Sequence, residues 1–449
     1  MSALPVAAAP AAELPPRIGK YRVLSRLGEG STSEVFLGRD DFHGTEVAIK
    51  RVRPNIRADS REGHFQSRFF AAEAALVGRL QHPNVVQILD AVEDADGPYL
   101  VMEYVDGPTL RRFCRADALL PLDQIVEIGF KTAMALGYVF RQGLIHRDVK
   151  PANLLAVLSG EHVVDIKVTD FGSVLNLRSD RTQVFRVGSL AYMSPEQLDG
   201  DELDSRADMF SLAAVLYHLI AGRPPFDAMQ QQAIMHQIYH AEAPPLATLR
   251  DGVPAGLQAL IERSLAKKRE QRPASWDAFA QELSALVSSG VVPRGALQGV
   301  RDSERFTLLR ALDFFEGFGD VELWEVVHRG RWLRHGFGDA LFRKGEQGNT
   351  FHIVAQGEVE VFRDGERVAQ LGCGTSVGEM AYLAPSPDLR THSADVLAAD
   401  TTTTISFTPE SMELMSLGTR RHFDASFIRV LVRRLHAAHE ALHHPRRIL

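Results

Sequence analysis

His146-Arg147-Asp148-Val149-Lys150-Pro151-Ala152-Asn153, followed by Asp170-Phe171-Gly172, places four chemically useful side chains within a short span. Asp148 can accept a proton, Lys150 is a cation, and Asn153 and Asp170 can hold a metal ion. Phosphoryl transfer from a nucleotide needs that set. The protein has little covalent work to do there: it holds Mg²⁺, orients a hydroxyl and neutralises charge on the phosphate oxygens.

Such a site needs elements that carry a nucleotide to it. Leu27 to Val35 reads as strand, glycine turn and strand, and Gly28 and Gly30, lacking Cβ, let backbone N–H groups approach phosphates. The next apolar strand, Val47-Ala48-Ile49-Lys50, ends on a lysine that needs a partner anion. Glu73, on a helical stretch from about Phe65 to Leu80, is the candidate.

With these motifs in order, residues 17–285 resemble the eukaryotic-type (Hanks-type) Ser/Thr protein kinase family. The resemblance implies a bilobal kinase fold that takes ATP and Mg²⁺ and phosphorylates Ser or Thr of protein substrates. It implies that Gly28, Glu29 and Gly30 cover the phosphates and that Lys50 contacts them while paired with Glu73. Asp148 then orients the acceptor hydroxyl, Lys150 supports the γ-phosphate, and Asn153 and Asp170 hold Mg²⁺. Met102 takes the gatekeeper position, Glu103 and Val105 offer backbone groups to adenine, and Val35, Ala48 and Leu155 complete the nucleotide site. Glu196 is expected to pair with Arg272, and Asp208 to anchor the catalytic loop. Met209 to Ile220 reads as a buried central helix, and the family's third loop glycine is Ser33 here. Between Asp170 and Glu196, Thr182 and then Ser179 are the candidate phosphate acceptors, with Arg147 as the receiving cation.

Beyond a short linker (286–303), the pattern shifts from helical stretches at Leu308–Phe315 and Val321–His328 to alternation. Val359 and Val361 alternate with charges, and Asp364-Gly365 marks a hairpin turn. Two closing helices are expected, at about Pro409–Leu417 and Phe423–Leu442. Residues 304–445 resemble the cyclic nucleotide-binding domain family, a β-roll with flanking helices, so the whole chain reads as an α+β multidomain protein. The strongest match is Phe342-Arg343-Lys344-Gly345 through Gly357-Glu358-Val359. Gly378-Glu379-Met380-Ala381 resembles the phosphate-binding cassette, whose glutamate takes the ribose 2′-hydroxyl in that family. The family's phosphate-binding arginine falls at His392, with Arg390 two residues earlier and on the same face if the segment is a strand. The effector is cAMP, cGMP or none, and a second reading stays open: a weak or inactive nucleotide-sensing scaffold whose C-terminal part binds proteins.

A chain of 449 residues with 45% apolar and 24% charged residues has room for two or three domains. A net charge of −7 gives no support for a nucleic-acid surface. Cys114 and Cys373 fall in different proposed domains, which fits a reducing cytoplasmic setting. The Ala- and Pro-rich start, 1–16, reads as a disordered tail, and no stretch reaches membrane-spanning length.

Overall fold

The computed structural model describes residues 14–30, 33–53, 67, 70–94, 97–173, 175–176, 190–292 and 301–443. The chain divides into two compact units, Met1–Leu297 and Gln298–Leu449.

The first unit opens with strands β1 (Arg17–Ile18), β2 (Tyr21–Glu29), β3 (Ser33–Asp40), β4 (Thr45–Val52), β5 (Ile88–Asp94) and β6 (Gly97–Glu103). They form one antiparallel sheet in the order β1-β2-β3-β4-β6-β5. Its period-two pattern sorts the side chains cleanly. Phe36, Val47, Ile49, Tyr99 and Val101 join Ile18 and Tyr21 in one apolar cluster. The register pairs Val35 with Lys50 and Lys50 with Leu100, and likewise Leu37 with Ala48 and Ala48 with Met102. Those residues alternate with the cluster, so they belong to the other face.

A short helix, α1, covers 70–74, and 75–79 are turns rather than the helix expected to Leu80. The backbone tightens there: Leu76, Val77 and Arg79 donate to the carbonyls three residues back, and Gly78 adopts φ +68°.

The rest of the unit is mainly helical: α2 (Leu122–Arg141), α3 (Pro195–Asp199), α4 (Ser205–Ala221), α5 (Gln231–His240), α6 (Ala255–Ser264) and α7 (Trp276–Ser288). Strands β7 (Leu144–Ile145), β8 (Leu154–Ser159), β9 (His162–Val168) and β10 (Leu175–Asn176) add two small ladders. Helix α4 is the expected central helix. Asp204 caps its start by accepting from Arg206 N at 2.8 Å, and Gly222, at φ +72°, ends it. Met209 to Leu216 are buried on every side, as the all-round apolar sequence requires.

The second unit begins with α8 (Asp302–Ala311) and α9 (Asp320–Arg329), each starting earlier than the apolar pattern alone suggests. Strands β11 (Arg331–His335), β12 (Ala340–Phe342), β13 (Phe351–Gln356), β14 (Val359–Arg363), β15 (Glu366–Leu371), β16 (Ser376–Val377), β17 (Asp395–Ala398) and β18 (Thr402–Phe407) follow. They form two four-stranded antiparallel sheets, β11-β18-β13-β16 and β12-β17-β14-β15. Phe342, Val354, Val359, Val377 and Val396, drawn from both sheets, make the core. The hairpin turn stands at Asp364-Gly365, with φ +54° and +85°. A one-turn helix, α10 (Glu379–Tyr382), carries the cassette sequence.

The closing helices correct the expectation: α11 is Pro409–Glu413, and α12 runs from Leu417 to His443, starting six residues earlier than Phe423. Helix α12 is pinned by aromatic contacts, Phe423 against Phe407 at 5.1 Å and Phe427 against Phe351 at 4.9 Å. Among the described residues, no helix is long and apolar enough to cross a membrane.

Candidate active site and cassette

The loop 146–153 is held by a buried carboxylate. Asp208, on α4, accepts from the backbone N–H groups of His146 and Arg147, both at 2.8 Å. Arg147 has φ +67°, a left-handed conformation that costs a residue with a Cβ about 1–3 kcal/mol. Gln197 of α3 donates to the Arg147 carbonyl at 2.8 Å, and His146 Nε2 contacts Thr169 O at 3.1 Å. Sequence reading found Asp208 but not Gln197, which lies 50 residues from its partner. We expect Asp208→Ala to lower unfolding free energy by about 1–3 kcal/mol, because two buried backbone N–H groups lose their acceptor; denaturant titration checks this.

On this loop Asp148 Oδ2 receives Lys150 Nζ at 2.6 Å and Asn153 Nδ2 at 3.1 Å. Asn153 Nδ2 also donates to Asp148 O at 2.8 Å. With its amide hydrogens on Asp148, Asn153 keeps its carbonyl oxygen for a hard cation. Asp170, also left-handed at φ +65°, brings a carboxylate from the far side.

Lys50 joins the two halves of the site. Its Nζ lies 2.9 and 3.0 Å from the Glu73 oxygens and 2.7 Å from Asp170 Oδ1. Burial lowers its pKa, but the Asp170 and Glu73 carboxylates outweigh burial and raise it. Asp170 is likewise opposed by burial and held below the carboxylate range by Lys50. Burial pushes Glu73 up, against the pull of Lys50.

The adenine candidates fall together as well. Ala48 and Met102 are direct cross-strand partners, and Glu103 pairs with Val47. Leu155 forms a bridge with Thr109 just past the Val105 segment, and a Cβ on Gly107 would strike the Ala156 carbonyl. Gly28 pairs with Val35, and Gly30 N donates to Ser33 O at 2.8 Å, with Glu29 ending β2 between them. Thr182 and Ser179 lie outside the described residues.

Two buried networks hold this region. Glu196 and Arg272 form a two-pronged pair at 2.6 and 2.9 Å, and Arg272 also donates to Ala266 O at 2.9 Å and Arg206 O at 3.0 Å. A network that sequence reading missed joins Asn84, Lys131 and Asp165. Asn84 Nδ2 reaches Asp165 Oδ1 at 2.7 Å, and Lys131 Nζ reaches the same oxygen at 3.1 Å.

In the second unit, Gly378 precedes α10 with φ +82°, and a Cβ there would lie 2.7 Å from the Phe342 ring. Glu379 and Ala381 are buried, whereas Met380 is 66% exposed. Arg390 and His392 differ in burial. His392 is buried and stacks on Phe342 with ring centroids 4.0 Å apart, whereas Arg390 is exposed, its Nε 3.4 Å from Ala384 O. The same-face expectation held for a strand, and this segment belongs to none of the strands β1–β18; Thr391 makes an isolated bridge with Gln347.

His352 lies beneath, against Phe342 at 4.9 Å and Thr404 Oγ1 at 3.1 Å. Burial first, then the nearby His335 and His392, push its pKa down to about 4. Its folded pKa is therefore below its unfolded value of about 6.5. The neutral form's stabilisation is full above pH 6.5 and is lost as pH falls toward 4, by about 3 kcal/mol. Denaturant titrations of wild type and His352→Gln across that window should show the wild type losing more stability.

Comparisons place these arrangements. The protein kinase domain family model matches residues 21–284, and the chain belongs to that family. The cyclic nucleotide-binding domain model matches residues 335–415. The chain is 36% identical over 339 residues to the serine/threonine-protein kinase PknB of Mycobacterium leprae, covering 70% of this chain and 53% of that protein. It is 34% identical over 298 residues to PknB of Mycobacterium tuberculosis, covering 65% and 46%. For the probable serine/threonine-protein kinase PknB of Lactococcus lactis the identity is 34% over 256 residues, covering 56% and 40%. The chain thus spans about half the length of the curated relatives it matches.

Proposed function

We propose that this protein is an ATP- and Mg²⁺-dependent serine/threonine protein kinase whose C-terminal unit senses a cyclic nucleotide, cAMP or cGMP. The observation that carries the kinase reading is the convergence on one site of Lys50–Glu73–Asp170 and Asp148–Lys150–Asn153.

Asp148 accepts the proton of a Ser or Thr hydroxyl as its oxygen bonds to the γ-phosphorus and the bond to the ADP oxygen breaks. Lys50, kept charged by Asp170 and Glu73, holds the nucleotide phosphates. Lys150, 2.6 Å from Asp148, balances charge where the hydroxyl enters. Asn153 and Asp170 would hold Mg²⁺, which neutralises charge on the transferring group. Val35, Ala48, Met102 and Leu155 supply the apolar walls for the base, and Glu103 and Val105 its backbone partners. Arg147 receives phosphate from Thr182 or Ser179 in the same proposal.

The chemistry of Glu379 supports a sugar-bearing effector in the second unit. It is 1% exposed, and its Oε2 is buried without a protein hydrogen-bond partner, a position suited to a ligand hydroxyl. The proposed setting is the cytoplasm, where ATP is available and the free thiols Cys114 and Cys373 stay reduced.

The test of the regulatory half is phosphate transfer from ATP to a basic protein substrate, with and without cAMP and cGMP. A change in rate with either nucleotide supports the sensor; a rate indifferent to both removes it.

A further inference from the structure

Glu379 has two oxygens in unequal circumstances. Oε1 takes Nη1 of Arg434, a residue of α12, 55 positions away in the chain. Arg434 Nη2 donates to the Ser376 carbonyl at 2.5 Å, just ahead of the cassette. Oε2 is buried and has no hydrogen-bond partner, and the Ser376 hydroxyl is buried and unpartnered beside it in sequence.

The planar guanidinium therefore spans a carboxylate oxygen and a backbone carbonyl at once, which fixes the carboxylate's orientation. A lysine ammonium is a point charge and cannot reproduce that two-pronged geometry. Arg434 is 38% exposed at its side chain while Glu379 is 1% exposed, so the buried carboxylate depends on a cation supplied by another element. Arg390 and His392, the residues that the sequence suggests for the phosphate, lie elsewhere: His392 stacks on Phe342, and Arg390 is exposed near Ala384.

We infer that Arg434 is a positioning residue of the ligand site: it holds the Glu379 carboxylate turned so that Oε2 receives a ribose hydroxyl. The inference rests on the cyclic-nucleotide reading above. A hydroxyl on Oε2 leaves the Arg434 contact on Oε1 intact, so ligand and helix share one carboxylate without competing for it.

The test uses the full chain in calorimetry with two probes, cAMP and its 2′-deoxy analogue, repeated with the cGMP pair. Wild type should bind the ribonucleotide about tenfold or more tighter than the deoxy form. Arg434→Ala should lose about 10- to 100-fold in ribonucleotide affinity, with the ribo-to-deoxy ratio falling toward one. Arg434→Lys should restore part of the affinity and little of the ratio. A merely structural role would weaken both probes alike and leave the ratio at its wild-type value.

A wild-type ratio in Arg434→Ala overturns the inference and leaves the cyclic-nucleotide reading standing. Wild type binding both forms equally also overturns it. Wild type binding no ribonucleotide overturns that reading and this inference together. Should thermal melts show Arg434→Ala to be unfolded, the ratio in Arg434→Lys decides: a wild-type value overturns the inference, and a collapsed value supports it.

Discussion

Asp148→Ala should lower phosphoryl transfer by about 10²- to 10⁴-fold, the range expected when a positioned proton acceptor is removed. ATP affinity should stay within about twofold, because Asp148 contacts Lys150 and Asn153 rather than the Lys50 centre. The two readouts separate chemistry from binding: kcat falls with little change in nucleotide Kd. A matched loss of ATP affinity would mean that Asp148 serves the nucleotide instead. Asp148→Asn makes a sharper version, keeping the side chain's shape while removing the acceptor charge.

The second large effect concerns stability. Arg272 is fully enclosed and Glu196 nearly so, with side-chain exposures of 0% and 8%. Removing either partner strands a buried charge, and Glu196→Ala should cost about 3–5 kcal/mol of unfolding free energy. Replacing both by apolar residues of similar volume should cost less than either single change, since no uncompensated charge remains. A built-in control exists in Arg263 and Glu282, whose side chains are 41% and 45% exposed. Breaking that pair should cost about 0–1 kcal/mol. Denaturant curves of the four variants check the ordering; equal losses at the two pairs would contradict it.

The kinase-like site was legible because its residues either sit in one short stretch, as Asp148, Lys150 and Asn153 do, or are obliged to meet by charge. A lysine in the apolar strand Val47–Lys50 must find an anion, and Glu73 and Asp170 are both there. The buried α4 was equally plain, since no amphipathic reading suits its all-round apolar pattern.

What escaped has physical reasons. The end of the Glu73 helix is decided by Gly78 in a left-handed conformation, a state that glycine permits but does not announce. The Asn84–Lys131–Asp165 network unites polar residues that look like ordinary surface side chains until packing encloses them. Arg434 is one of five arginines from Arg420 to Arg434 that share no distinguishing motif. Its meeting with Glu379 follows from the docking of α12, through Phe423 and Phe427 and through Ser426 and Arg429 on the Phe314 carbonyl. The differing burial of Arg390 and His392, the two alternatives for the phosphate position, was hidden for a related reason: a two-residue offset preserves a face only along a continuous ladder.

The most direct measurement is transfer of labelled γ-phosphate from ATP to serine or threonine by the purified chain, with Mg²⁺ present and then chelated. The account predicts phosphoserine or phosphothreonine that depends on Mg²⁺ and vanishes in Asp148→Ala. A folded, ATP-binding protein that labels neither residue, or labels them equally well without Asp148, would contradict it.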